Sequence, residues 1–100
     1  MMDELNEAML KFAGFTKLGL SWCYPDNVLV RQKLPHFPSD LNACERWICP
    51  KLSFVGLFYY GPNNCEAEVF GKRDMPKIGA RGKTLPMALC LAVSKMMEGK

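Results

Sequence analysis

Apolar and polar residues follow two different periods along this chain. In MDELNEAMLKFAG (2–14) Met2, Leu5, Met9 and Phe12 recur at the spacing of one helix face, with Glu4, Glu7 and Lys11 mostly off it. Asp3, Glu4 and Glu7 suit the positive end of a helix dipole, and Gly14 is the expected stop. The period then drops to two. In TKLGLSWCY (16–24) Leu18, Leu20, Trp22 and Tyr24 alternate with Lys17, Gly19, Ser21 and Cys23, which predicts one strand with a heavily apolar face. The turn PDN (25–27) leads to VLVRQ (28–32), a short second strand completing a hairpin.

Pro35 and Pro38 keep the next segment extended, Ser39 or Asp40 can cap a helix, and Leu41, Cys44, Trp47 and Ile48 form its apolar stripe before Pro50. KLSFVGLFYY (51–60) is apolar on both strand faces: Phe54, Phe58 and Tyr60 point one way, Val55, Leu57 and Tyr59 the other. Such strands are usually covered on both sides. After the turn GPNN (61–64), CEAEVFG (65–71) sets Cys65, Ala67 and Val69 against Glu66, Glu68 and Phe70. A basic loop follows, then a helix over Leu85 to Glu98.

The order α-β-β-α-β-β-α predicts an α+β fold, an α/β/α sandwich with a small, four-stranded, largely antiparallel sheet carrying helices on both faces. At 100 residues with 49% hydrophobic content the chain fits a single domain, 1–100, with one modest core. The longest apolar run, Leu85 to Val93, is far short of the ~20 residues that span a bilayer. The acidic N-terminus lacks the basic start of a signal peptide, so a cytoplasmic protein without membrane association is expected.

Five scattered cysteines with no CxxC and a single histidine, His36, fit neither a disulfide framework nor a zinc site, so no metal and no cofactor are expected. Residues 1–50 carry five basic and six acidic side chains, and residues 51–100 carry eight basic and four acidic. The excess sits in KRDMPKIGARGK (72–83), which makes Lys72, Arg73, Lys77, Arg81 and Lys83 candidates for contact with phosphate or an acidic partner.

Gly82-Lys83-Thr84 imitates the end of a phosphate-binding loop. The pattern G-x-x-x-x-G-K-[ST] would need glycine at 77, where the chain has Lys77, and only Glu98 follows as an acidic residue. The local alternative is a helix start, with Thr84 as cap and Pro86 in the first turn. Leu85, Leu89, Ala92, Val93 and Met96 then form one apolar face, and Met87, Cys90, Leu91 and Ser94 a second, mostly apolar one. A helix apolar on most sides is central to a core or covers a partner.

Two segments together resemble a known family. LPHFPSDLNACERWI (34–48) is similar to the extended lead-in, Ser-Asp cap and Trp-bearing helix of the phage ABA sandwich domain, and KTLPMALCLAVSKMMEG (83–99) to its final helix. WCYPDNVLV (22–30) and the opening helix fall in matching places, so the likeness spans nearly the whole chain. The basic loop at 72–83 is longer and more charged than the family pattern, and the helix after Ser39 is shorter. The resemblance implies an α/β/α sandwich of phage or prophage origin and no catalytic residue.

Three function classes follow. The first is a small non-enzymatic accessory protein that binds another protein, of host or phage, using the basic residues above or Tyr59, Tyr60 and Phe70 where these stand exposed. A homodimer through 51–60 and the last helix is a further expectation. The second is nucleic-acid binding through the basic loop. Helix–strands–helix order resembles double-stranded-RNA-binding domains, but the lysine pair opening their last helix is replaced here by LPM (85–87). The third is a cysteine enzyme with His36 as base, or one using Glu66 and Glu68 as paired carboxylates.

Overall fold

The computed structural model describes residues 2–31, 33–71 and 77–98. Helix α1 (Met2–Ala13) ends as Gly14 implies. The Gly14 amide donates to the Lys11 carbonyl and the Phe15 amide to the Leu10 carbonyl, the two bonds of a Schellman cap. Met9, Leu10 and Ala13 are buried, so the inward face lies slightly round from the Met2–Leu5–Met9–Phe12 stripe, with Leu5 and Phe12 half-buried at its border.

The stretch read as one strand is a hairpin in itself. Strands β1 (Thr16–Leu18) and β2 (Ser21–Cys23) pair antiparallel around Gly19, whose φ of +64° makes the turn, and Leu20 stands wholly exposed at its tip. The expected second strand at 28–32 contributes one bridge, Cys23 to Leu29, closed by bonds from Tyr24 to Val28 and from Val30 to Trp22.

Asp40, not Ser39, caps the next helix by accepting from the Ala43 amide. Helix α2 (Leu41–Ala43) widens at once into a π-helical turn, Cys44–Ile48, then tightens into a 3-10 turn, Cys49–Lys51, at Pro50. Cys44 and Ile48 are fully buried. Asn6 of α1 fixes the lead-in: its Nδ2 donates to the Pro35 carbonyl at 3.0 Å and its Oδ1 accepts from the Phe37 amide at 2.8 Å.

Strands β3 (Phe54–Gly61), β4 (Asn64–Phe70) and β5 (Ile78–Gly82) form a second antiparallel sheet in the order β3-β4-β5. Helix α3 (Leu85–Glu98) follows, capped by Thr84, whose Oγ1 accepts from the Met87 amide. It packs on β4 and β5 and also on α1 and the 3-10 turn Phe37–Ser39, burying Ala88, Leu89, Cys90, Ala92, Val93 and Met96. Its two apolar faces are thereby accounted for: α3 is the centre of the molecule. Each fully buried aliphatic or aromatic side chain there contributes about 1.5–3 kcal/mol.

The α+β class, the antiparallel pairing and the expected element order are present. The layering differs in two ways. The strands form separate two- and three-stranded sheets instead of one four-stranded sheet, and β5 arises within the segment read as a basic loop. The three-stranded sheet carries α3 on one face, and among the described residues no element packs on the other. The layer beyond α3, which includes α1, covers the helix instead of the second face of the sheet.

Candidate binding face

The register of β3, β4 and β5 sorts their residues onto two faces. Phe54 pairs with Phe70, Phe58 with Glu66, and Glu66 with Arg81, while Val55 pairs with Val69, Leu57 with Ala67, and Ala67 with Ala80. The second set lies toward α3. The first set, with Gly56 and its partner Glu68, and with Tyr60 and Lys77, forms the uncovered face: four aromatic rings, two carboxylates and two cations.

The rings are ordered by one another. Phe54 and Phe70 stack with centroids 5.2 Å apart, and Phe58 and Tyr60 at 6.5 Å. Phe54 and Phe58 converge over Gly56, where a side chain would meet both rings at 3.3 Å. Lys77 Nζ lies 5.3 Å from the centre of the Phe54 ring and the Arg81 guanidinium 5.8 Å from Tyr60, both within cation–π range. The Tyr60 hydroxyl donates to Glu66 Oε1 at 3.2 Å. Loss of hydration and then this bond push the phenol above its usual pKa, with Glu66 and Glu68 adding to the rise and Arg81 opposing it.

Of the residues singled out in the sequence, Tyr60, Phe70, Lys77 and Arg81 meet on this face. Phe70 is half-buried under Phe54, and Tyr59 projects from the opposite face, 67% exposed, beside the start of α3. Lys83 is exposed past the end of β5, and Lys72 and Arg73 lie outside the described residues. Sequence reasoning passed over Phe54, Phe58 and Gly56; its signal was the alternation of 54–60, read there as a doubly covered strand.

Elsewhere the polar and thiol groups make local contacts. A Cβ on Gly82 would lie 2.8 Å from the Ala88 nitrogen, so the glycine of the GKT stretch lets α3 close against β5. Cys44 donates to the Phe37 carbonyl at 3.1 Å, leaving Cys90 to donate to Cys44 Sγ at 4.0 Å. That bond, then burial, holds the Cys90 thiol far above its ordinary pKa, and burial followed by the neighbouring Cys44 and Glu45 raises Cys49. His36 Nδ1 meets Ser39 Oγ at 2.7 Å within one turn. Among the described residues no three His, Cys, Asp or Glu side chains are grouped to hold a metal ion. A shallow cleft of about 720 Å³ beside Tyr24 and Trp47 mixes Lys33 and Arg46 with Asp26 and Asp40. Among the described residues no helix is long and apolar enough to cross a membrane.

Comparisons with family models, with curated proteins and with solved structures gave no match.

Proposed function

We propose that this chain is a small non-enzymatic accessory protein, of phage or prophage type, that works by binding another protein through the uncovered face of the β3–β4–β5 sheet. The observation that carries the reading is an aromatic cluster left in water: Phe54, Phe58 and Tyr60 are 37%, 38% and 57% exposed on a face that no described element covers. Contiguous exposed aromatic surface is costly to leave unpartnered and marks contact sites. Aromatic residues and arginine are also the residue types most enriched where proteins meet.

Charge favours a protein over a polyanion. Glu66 and Glu68 stand on the middle strand and balance Lys77 and Arg81 on the same face. A phosphate backbone would pass over those carboxylates, whereas a protein partner can match both signs. The test is recovery of partners from the native source by the wild type and by a Phe58→Ser/Tyr60→Ser variant, after circular dichroism shows both folded. Recovery of a stoichiometric protein by the wild type alone supports the reading, and equal recovery by both defeats it.

A second reading, single-stranded nucleic acid, is favoured by one observation: Lys77 and Arg81 lie over rings on which bases could stack. It requires oligonucleotide binding that weakens steeply between low and moderate salt. Salt-independent or absent binding removes it.

A further inference from the structure

We propose that β3 is a self-pairing edge: two copies of this chain join antiparallel along it, about a two-fold axis normal to the sheet, into one continuous six-stranded sheet. β3 lies at the end of the order β3-β4-β5, so one side of it has no strand partner among the described residues. Its pairing with β4 runs in unbroken register from Phe54 to Tyr59, with an irregularity only beyond, between Tyr59 and Gly61.

Natural edge strands are protected by proline, lysine, inward charges, early bulges or a covering element. Phe54–Gly61 has no proline and no charged residue, and the elements that pack on it are β4 and, slightly, α3. The strand is also incompletely covered on both faces. Phe54, Phe58 and Tyr60 are exposed on one, Tyr59 on the other, and Val55 and Leu57 are only half-buried beneath.

The occupant is argued from self-complementarity. A strand pairs along its backbone only with another strand. An uncharged apolar strand suits its own copy, since a two-fold axis brings no like charges together. Such an axis through Gly56 sets Phe54 of one copy beside Phe58 of the other and keeps the two uncovered faces on the same side. The aromatic surface is then doubled and not consumed, so this inference is independent of the partner-binding reading.

The experiment is sedimentation equilibrium of the full chain over a micromolar to millimolar range, with hydrogen exchange of the 54–59 amides at both ends of it. A species of twice 11.3 kDa is expected, with slowed exchange at the outward-pointing amides of β3 as concentration rises. Tyr59→Lys places a charge on the edge, away from the uncovered face, and is expected to weaken association about tenfold or more. Phe58→Lys repeats the test from the other face if the first variant folds poorly. A monomer throughout, a dimer whose 54–59 amides exchange as in dilute solution, or a dimer indifferent to both substitutions overturns the proposal. Self-association with no captured partner would leave self-pairing standing and defeat the partner-binding reading; partner capture by a monomer would do the reverse.

Discussion

Gly82 shows how a residue can point to two chemistries when read alone. In sequence it belongs to a GKT resembling a phosphate loop; in space its missing side chain is what matters, because Ala88 and Met87 occupy the position a Cβ would take. Gly82→Ala should therefore destabilise the fold by about 1–3 kcal/mol in urea unfolding, the usual cost of overpacking. Lys83→Ala, beside it and exposed, should change stability by less than about 0.5 kcal/mol. The thiols divide as sharply. Cys44 and Cys90 are buried, and the bond between them with burial keeps Cys90 protonated at neutral pH. Alkylation of the native protein followed by peptide mass analysis should modify half-buried Cys23 well before either, and all five cysteines should react together once urea unfolds the chain.

At the level of elements, local signals were read correctly where the chain itself supplies the reason. The Gly14 stop, the Thr84 cap and the alternation in 54–60 and 65–70 all survive folding because each is satisfied by near neighbours. The errors lie where a turn or a partner decides. Leu18, Leu20, Trp22 and Tyr24 alternate across Gly19 as if it were strand, yet its positive φ folds the segment on itself. Ile78–Gly82 was hidden by the charges around it and by Arg81: Arg81 lies on the open face while Ile78 and Ala80 turn to the core, and only pairing with β4 separates them. Asn6 carried no sequence signal, since its role is a clasp on Pro35 and Phe37 about thirty residues away. Asn6→Ala strips both partners of their bonds and should cost about 1–3 kcal/mol, measured as a lowered denaturation midpoint with an unchanged slope.

For the whole molecule, the arrangement of layers creates the candidate site. A strand apolar on both faces predicts cover on both sides, and the apolar faces of α3 predict a helix with neighbours on most sides. Folding surrounds the helix with the sheet, α1 and the Phe37–Ser39 turn, burying most of its apolar residues, and covers the sheet on one side. The rings that would have faced a second helix stack instead on one another and under Lys77 and Arg81, ordered in advance of any partner. Such preorganisation lowers the entropic cost of binding. The hairpin tip, with Leu18 and Leu20, is also exposed and apolar, as are Val28 and Leu29 beside it, and its cation–ring contact is Lys17 over Trp22. The most direct measurement is calorimetric titration of the recovered protein partner against three proteins: the wild type, Phe58→Ser/Tyr60→Ser, and Leu18→Ser/Leu20→Ser as the hairpin control. The account predicts that the sheet variant weakens binding about tenfold or more, as loss of aromatic anchors does, while the hairpin variant binds as the wild type. Unchanged affinity in the sheet variant, with loss in the hairpin variant, would contradict it.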